Sequence, residues 1–446
     1  MQRFASVIAL SLSVVCWPVV QAVAAQPATD RPAAGPRKLS LEESIELALA
    51  NNKAALIQRQ EVENMNAQVT QARSAAFPYL SGYTQYLITQ GTMNFGGSEG
   101  FTFDLDDKYY EAGVTLQQTV YSAGRVGAAL KAAKAARGYA RENLEATLKE
   151  VTYGVKASFG GVLLAQEMSD LAKQSLQLAE AHLKNVEQLY EQGVASEYEL
   201  IRARVQVAQM VPASIRAENE LDQALIVFRN TLGLSADEKV VPEGKLEKEP
   251  VETTVEEAFA LAKQERSELA AARLRVDGMK AAVAVAKADR YPSLSLIGNA
   301  YLETEEPKFD DKDWRTKMWS ATLNLSIPIF DGLRTKGKIR QTEAQYEQAR
   351  LLSEQALDGV RLEVEQAVSK LAEARKLVDS QVASVEQAQK GLDIAEIRYK
   401  NGVGTQLEVL DAQVSLSTAR TNYFTAVYEH FMAIAELERA TGAKFE

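Results

Sequence analysis

The chain has 446 residues, 46% of them hydrophobic and 25% charged, with a formal net charge of -10, one Cys and two His. An acidic balance with no basic run excludes nucleic acid as a partner, since a phosphate backbone calls for clustered Lys and Arg. A lone Cys16, two distant histidines (His182 and His430) and no Gly-rich phosphate loop exclude a disulfide framework, a thiol nucleophile and zinc spacing, so no enzyme, cofactor or metal is implied.

At the N-terminus, Arg3, an apolar stretch over residues 4–20 and Ala22-Val23-Ala24-Ala25 read as a signal peptide covering 1–25. Cys16 lies inside it. Ser13-Val14-Val15 lacks the small residue that precedes a lipoprotein cysteine, so the mature chain is expected to be cysteine-free. Beyond the leader there is no apolar run of the ~18 residues a transmembrane helix needs, and membrane insertion would have to use strands.

Ser40-Leu41-Glu42-Glu43 is a capping box that opens a helical pattern to about residue 75, with Ile45, Leu49, Leu56, Val62 and Val69 on its apolar stripe. Thr254-Val255-Glu256-Glu257 repeats it 214 residues later, and the offset holds through Phe77-Pro78 against Tyr291-Pro292, where both helices end before proline. From Thr119–Arg125 against Pro328–Arg334 the offset is 209, and it persists to Gly233 against Gly442. The chain therefore reads as two tandem copies, residues 39–233 and 253–442. A charged linker with Pro242, Gly244 and Pro250 joins them over 234–252.

Each copy holds two expected strands, at about 78–90 and 109–121, then 292–303 and 318–330. Trp319, Ala321, Leu323, Leu325 and Ile327 alternate with Ser320, Thr322, Asn324 and Ser326, the two-residue period of a barrel strand with one face to lipid and one to a lumen. Phe77, Tyr121, Tyr291 and Phe330 sit where strand meets helix, as an interfacial aromatic girdle would. The segments 90–108 and 303–318, with Asp104, Asp106, Asp107, Asp310, Asp311 and Asp313, read as exposed loops whose charge is solvated rather than calcium-bound.

Long helices follow, over 122–192 and 331–401, with Ser122 and Asp331 as N-caps. At ~1.5 Å per residue each spans roughly 105 Å. Val364, Ala367, Leu371, Ala374 and Val378 form a coiled-coil seam. Return helices span 196–231 and 405–441, the first interrupted at Pro212.

Between each long helix and its return lies a repeated tip. Tyr190, Gly193, Val194 and Ser196 match Tyr399, Gly402, Val403 and Thr405. In each, Gly ends a helix in a left-handed turn, and Ser or Thr opens the next with Glu199 or Glu408 three residues on. Those glutamates have two readings, capping or gating. Asp411 lies one turn beyond Glu408 on the same face, and its first-copy counterpart is Arg202.

Four strands cannot close a barrel, and an open edge is not tolerated in lipid, so the protomer must oligomerise about an axis. The class is α+β, a membrane barrel continued by a helical tube. The duplicated plan, the Pro-strand-loop-strand-helix order, Ile329-Phe330-Asp331-Gly332 and both tips resemble the TolC family of outer-membrane efflux and secretion channels, over nearly all of the mature chain. The resemblance implies a homotrimer with a 12-stranded barrel in outer-membrane lipid and a tunnel into the periplasm. It implies tips that dock a periplasmic adaptor and an inner-membrane pump. Carboxylates matching Glu408 and Asp411 would form a constricting ring, and a tyrosine matching Tyr399 would bond a carboxylate matching Glu199 and hold the entrance shut. The family's arginine gate position is Gly404 here. The competing class is a secreted coiled-coil scaffold with a small soluble sheet.

Overall fold

The structure, a computed structural model, describes residues 37–95, 101–246, 251–304 and 316–445. The expected leader at 1–25 lies outside them, as do residues 305–315 with Asp310, Asp311 and Asp313, and the side chains of Asp104, Asp106 and Asp107.

The first half runs β1 (Arg37–Leu39), α1 (Leu41–Asn51), α2 (Lys53–Ser74), β2 (Tyr79–Phe95), β3 (Phe101–Tyr121), α3 (Arg125–Glu191) and α4 (Glu197–Thr231). After β4 (Val240–Pro242) the second half runs α5 (Val255–Glu265), α6 (Ser267–Ala288), β5 (Ser293–Thr304), β6 (Thr316–Ser326), α7 (Arg334–Lys400) and α8 (Gln406–Thr441). Among the described residues no helix is long and apolar enough to cross a membrane.

The capping boxes form as expected: Glu43 N donates to Ser40 Oγ at 3.2 Å and Ser40 N to Glu43 Oε2 at 3.0 Å, with Thr254 and Glu257 repeating the exchange. The helical patterns they open are broken, however, at Asn52 and at Arg266. Asn52 is extended and caps α2 through its carboxamide, and its Nδ2 donates to Thr231 O at 3.0 Å. Arg266 is buried and donates to Arg439 O at 3.1 Å, to Ala440 O at 3.0 Å and to the Glu363 carboxylate at 2.8 Å. The apolar stripe continues across both breaks. Contacts to the distant ends of α4 and α8 help make a kinked backbone favourable there, and the sequence pattern reads straight through because those partners are remote.

Strands β2, β3, β5 and β6 form one antiparallel sheet in that order. Leu80, Leu116, Gly298 and Ala321 fall in one cross-strand row, and Ser81, Thr115, Asn299 and Ser320 in the next row on the opposite face. Thr115 Oγ1 donates to Asn299 Oδ1 at 3.0 Å along that polar row. The stretch 90–108, expected as a loop, is mostly strand: pairing continues from Gln90 opposite Asp106 to Phe95 opposite Phe101. Backbone pairing is indifferent to side-chain polarity once a hairpin has left the apolar layer, so the acidic composition misled. Conversely β6 stops at Ser326 rather than 330, because Pro328 has no N–H for a ladder.

The long helices start three residues later than expected. Ala123 and Gly124, and again Gly332 and Leu333, take positive φ before α3 and α7, and neither helix has a side-chain N-cap bond. Asp331 still contributes, its Oδ2 accepting from Thr335 N at 2.8 Å. Pro212 does not interrupt α4; on an exposed face it removes one backbone bond and the helix runs on. The linker also holds more structure than expected. β4 pairs with β1, and Leu39 and Val240 enter a core with Val155, Val162, Phe159, Phe228 and Leu232. The expected seam Val364, Ala367, Leu371, Ala374 and Val378 is buried throughout. α3 packs along α4 and α7 along α8, forming two antiparallel hairpins whose tips carry the candidate site.

Candidate functional site

Both tips use one backbone device. At the first, Gly193 has φ 74° and Val194 N donates back to Leu189 O at 2.9 Å. At the second, Gly402 has φ 70° and Val403 N donates to Arg398 O at 3.0 Å. Such a reversal needs a left-handed residue, and Gly takes it at least cost. Ser196 and Thr405 then cap the return helices, accepting from Glu199 N and Glu408 N at 3.3 Å in both cases.

There the tips part. Glu199 closes its box, with Ser196 N donating to Glu199 Oε2 at 2.8 Å. Glu408 leaves its box half-formed and turns instead to Arg398, whose Nε lies 3.3 Å from Glu408 Oε2. The capping reading of Glu199 therefore holds, while for Glu408 only the backbone half does. Arg398 also donates through an Nη to Val403 O at 3.2 Å. Its first-copy counterpart is Leu189, which has no charge to offer. One turn along α8, Asp411 is exposed like Glu408, while Val409 and Leu410 between them are buried. Among the described residues the Asp411 carboxylate makes no ion pair.

The two hairpins meet at Gln406, a residue only 4% exposed. Its Nε2 donates to His182 Nε2 at 3.0 Å and to Glu199 O at 3.4 Å, so it joins α8 to both arms of the first hairpin. An imidazole that accepts at Nε2 is neutral, with its proton on Nδ1. Burial lowers the His182 pKa and favours that state, against a smaller upward pull from Glu396. Tyr399 packs beside the His182 ring at 6.0 Å between centroids. Burial, and then the Glu199 charge, raise the phenol's pKa. Tyr399 and Glu199 are thus brought into one cluster, with the Glu199 side chain held by its cap.

Sequence reading picked out Glu199, Tyr399, Glu408 and Asp411 and missed Gln406, His182 and Arg398. A signal for two of these existed: at offset 209 Gln406 replaces Glu197 and Arg398 replaces Leu189, both changes of charge inside an otherwise similar tip. His182 carries no such signal. Apolar side chains also stand out at the tips, with Val194 73%, Tyr198 70% and Val403 67% exposed.

The chain is 24% identical over 383 residues to the outer membrane protein TolC of Vibrio cholerae, covering 85% of each. It is 25% identical over 422 residues to the cobalt-zinc-cadmium resistance protein CzcC of Cupriavidus metallidurans, covering 93% of this chain and 92% of the relative. A solved membrane protein from Pseudomonas aeruginosa has the same fold, with a TM-score of 0.79 and 22% identity over 93% of this chain and 99% of that one. The model of the outer membrane efflux proteins matches residues 44–234 and 259–443, a span that takes in both tips. This chain belongs to the outer membrane efflux protein family, and its place is the outer membrane.

Proposed function

We propose that three copies of the chain, each giving four strands, close a 12-stranded barrel that opens into a periplasmic helical tunnel and serves as a passive exit duct. The observation that carries this reading is the sheet itself. Its outer strands, β2 and β6, each pair on one side only among the described residues, and its rows alternate between apolar and polar faces. Hydrocarbon does not tolerate unpaired backbone groups, so these edges call for the edges of neighbouring copies. The trimer is what the family's architecture implies.

In this reading the tips are the tunnel's closed entrance. Glu408 and Asp411 face outward from the start of α8, and three such pairs about one axis make a constriction that prefers cations. The Gln406 contacts, with Tyr399 and Glu199 beside them, hold the two hairpins of a protomer together. Around the turns shaped by Gly193, Ser196, Gly402 and Thr405, the exposed Val194, Tyr198 and Val403 suit a periplasmic adaptor protein that links the duct to an inner-membrane pump. The pump supplies the energy.

Purified protein in detergent should have the mass of three copies and give a small, cation-preferring conductance in planar bilayers. Changing Glu408→Ala and Asp411→Ala together should raise that conductance several-fold. A detergent-independent soluble oligomer without conductance would support the scaffold reading instead.

A further inference from the structure

We propose that Arg398 sets the charge of the constriction. By pairing with Glu408 of its own hairpin it neutralises one of two outward carboxylates and leaves Asp411 to select the permeating ion. The proposal rests on the reading of the tips as the channel's constriction.

The guanidinium is held from two directions, by Glu408 Oε2 at 3.3 Å from Nε and by Val403 O at 3.2 Å from an Nη. The turn closes tightly on the backbone beneath it. Gly404 is outside the left-handed region, so no dihedral explains why it is glycine. Space does: a Cβ at 404 would lie 2.9 Å from Arg398 Cβ and 3.1 Å from Arg398 C and Tyr399 N. Any side chain at 404 would press on the backbone and Cβ of residue 398, atoms that a leucine there would share.

The first tip is the internal control. It has Leu189 in place of Arg398 and Ala195 in place of Gly404, and there the glutamate returns to its cap. The second tip has the arginine, the glycine and the diverted glutamate together, and it is also the one carrying Asp411 where the first has Arg202. As an exposed ion pair the Arg398–Glu408 contact adds little to stability. Selectivity depends on something else, the net charge of the ring that an ion passes. Of the trio Arg398, Glu408 and Asp411, one negative charge per copy is left unpaired rather than two.

The test is the reversal potential of the full-length channel in planar bilayers under a KCl gradient. Arg398→Gln should raise the cation-to-anion permeability ratio about two-fold or more at low salt, with the increase fading toward 1 M, where charges are screened within ~3 Å. Glu408→Gln should lower the ratio by leaving the arginine unpaired. The double variant Arg398→Gln with Glu408→Gln should return it to the wild-type value, and Arg398→Lys should keep it there. A purely structural role for the pair would not produce that compensation. If Arg398→Gln leaves the ratio unchanged while Asp411→Asn lowers it, the constriction stands and the role of Arg398 falls. If Asp411→Asn is also silent, the constriction lies elsewhere and both readings fall.

Discussion

The two tips share a turn, a left-handed glycine and a hydroxyl cap, yet their glutamates do different work. Glu199 lies against its own helix end, while Glu408 reaches across the turn to Arg398. Nothing in the backbone forces the difference, since both return helices begin with the same cap geometry. What differs is the residue opposite, Leu189 or Arg398. The same turn can thus hold one carboxylate in a structural cap and the other in an ion pair across the turn, by changing a partner rather than the carboxylate itself.

The two tips become most alike if the second is given the first tip's charge. Asp411→Arg, which imports the residue of Arg202, should reduce cation preference by about an order of magnitude or reverse it, read as reversal potential. Next in size is the link between the tips. Gln406→Leu leaves His182 Nε2 without its donor and removes the side-chain donor to Glu199 O, which should cost about 1–3 kcal/mol locally. Faster hydrogen exchange around residues 182, 199 and 406 would report it, and unchanged exchange would mean the hairpins are held elsewhere.

That link also depends on pH. A protonated His182 cannot accept from Gln406, and its folded-state pKa lies below the ordinary 6.5. The unfolded state therefore binds more protons within that window. The contribution is complete above about pH 6.5 and is lost as pH falls through the folded value. Protection factors at the tip, with the intrinsic pH dependence of exchange removed, should fall on acidification, and His182→Gln should flatten that response.

Smaller effects sharpen the contrast of caps. Ser196→Ala removes a hydroxyl that serves a closed box and should cost ~1 kcal/mol of tip stability, whereas Thr405→Ala, at a half-formed box, should cost less. Protection of the first turns of α4 and α8 in exchange experiments compares the two directly, and equal losses would contradict the contrast. Smallest of all, Arg398→Leu should change tip stability by no more than a few tenths of a kcal/mol, as for an exposed pair. A crystal structure of that variant should show Glu408 closing its box as Glu199 does.

Much of the fold could be read from particular residues. Ser40 and Thr254 announce helix starts because a hydroxyl followed by glutamate three residues on satisfies orphan donors locally. Val364 to Val378 announce a seam because burial on a helix recurs every three or four residues. The alternation from Trp319 to Ile327 marks a two-faced strand for the same kind of reason. Asn52 and Arg266 could not be read, because their kinks are compensated by carbonyls more than 170 residues away. Nor could the strand pairing past Gln90, where polar side chains look like loop.

At the tips the division is similar. Local residue pattern dictates the turns, the caps and the asymmetry of Asp411 against Arg202, since each depends on residues within one helical turn and on an offset that can be counted. Tertiary structure alone decided that Gln406 would be buried between hairpins, that His182 would face it, and that Glu408 would choose Arg398 over its own cap. Each of those outcomes is a competition between a local partner and one brought in by the packing of helices. Only their relative placement fixes which contact has the shorter reach.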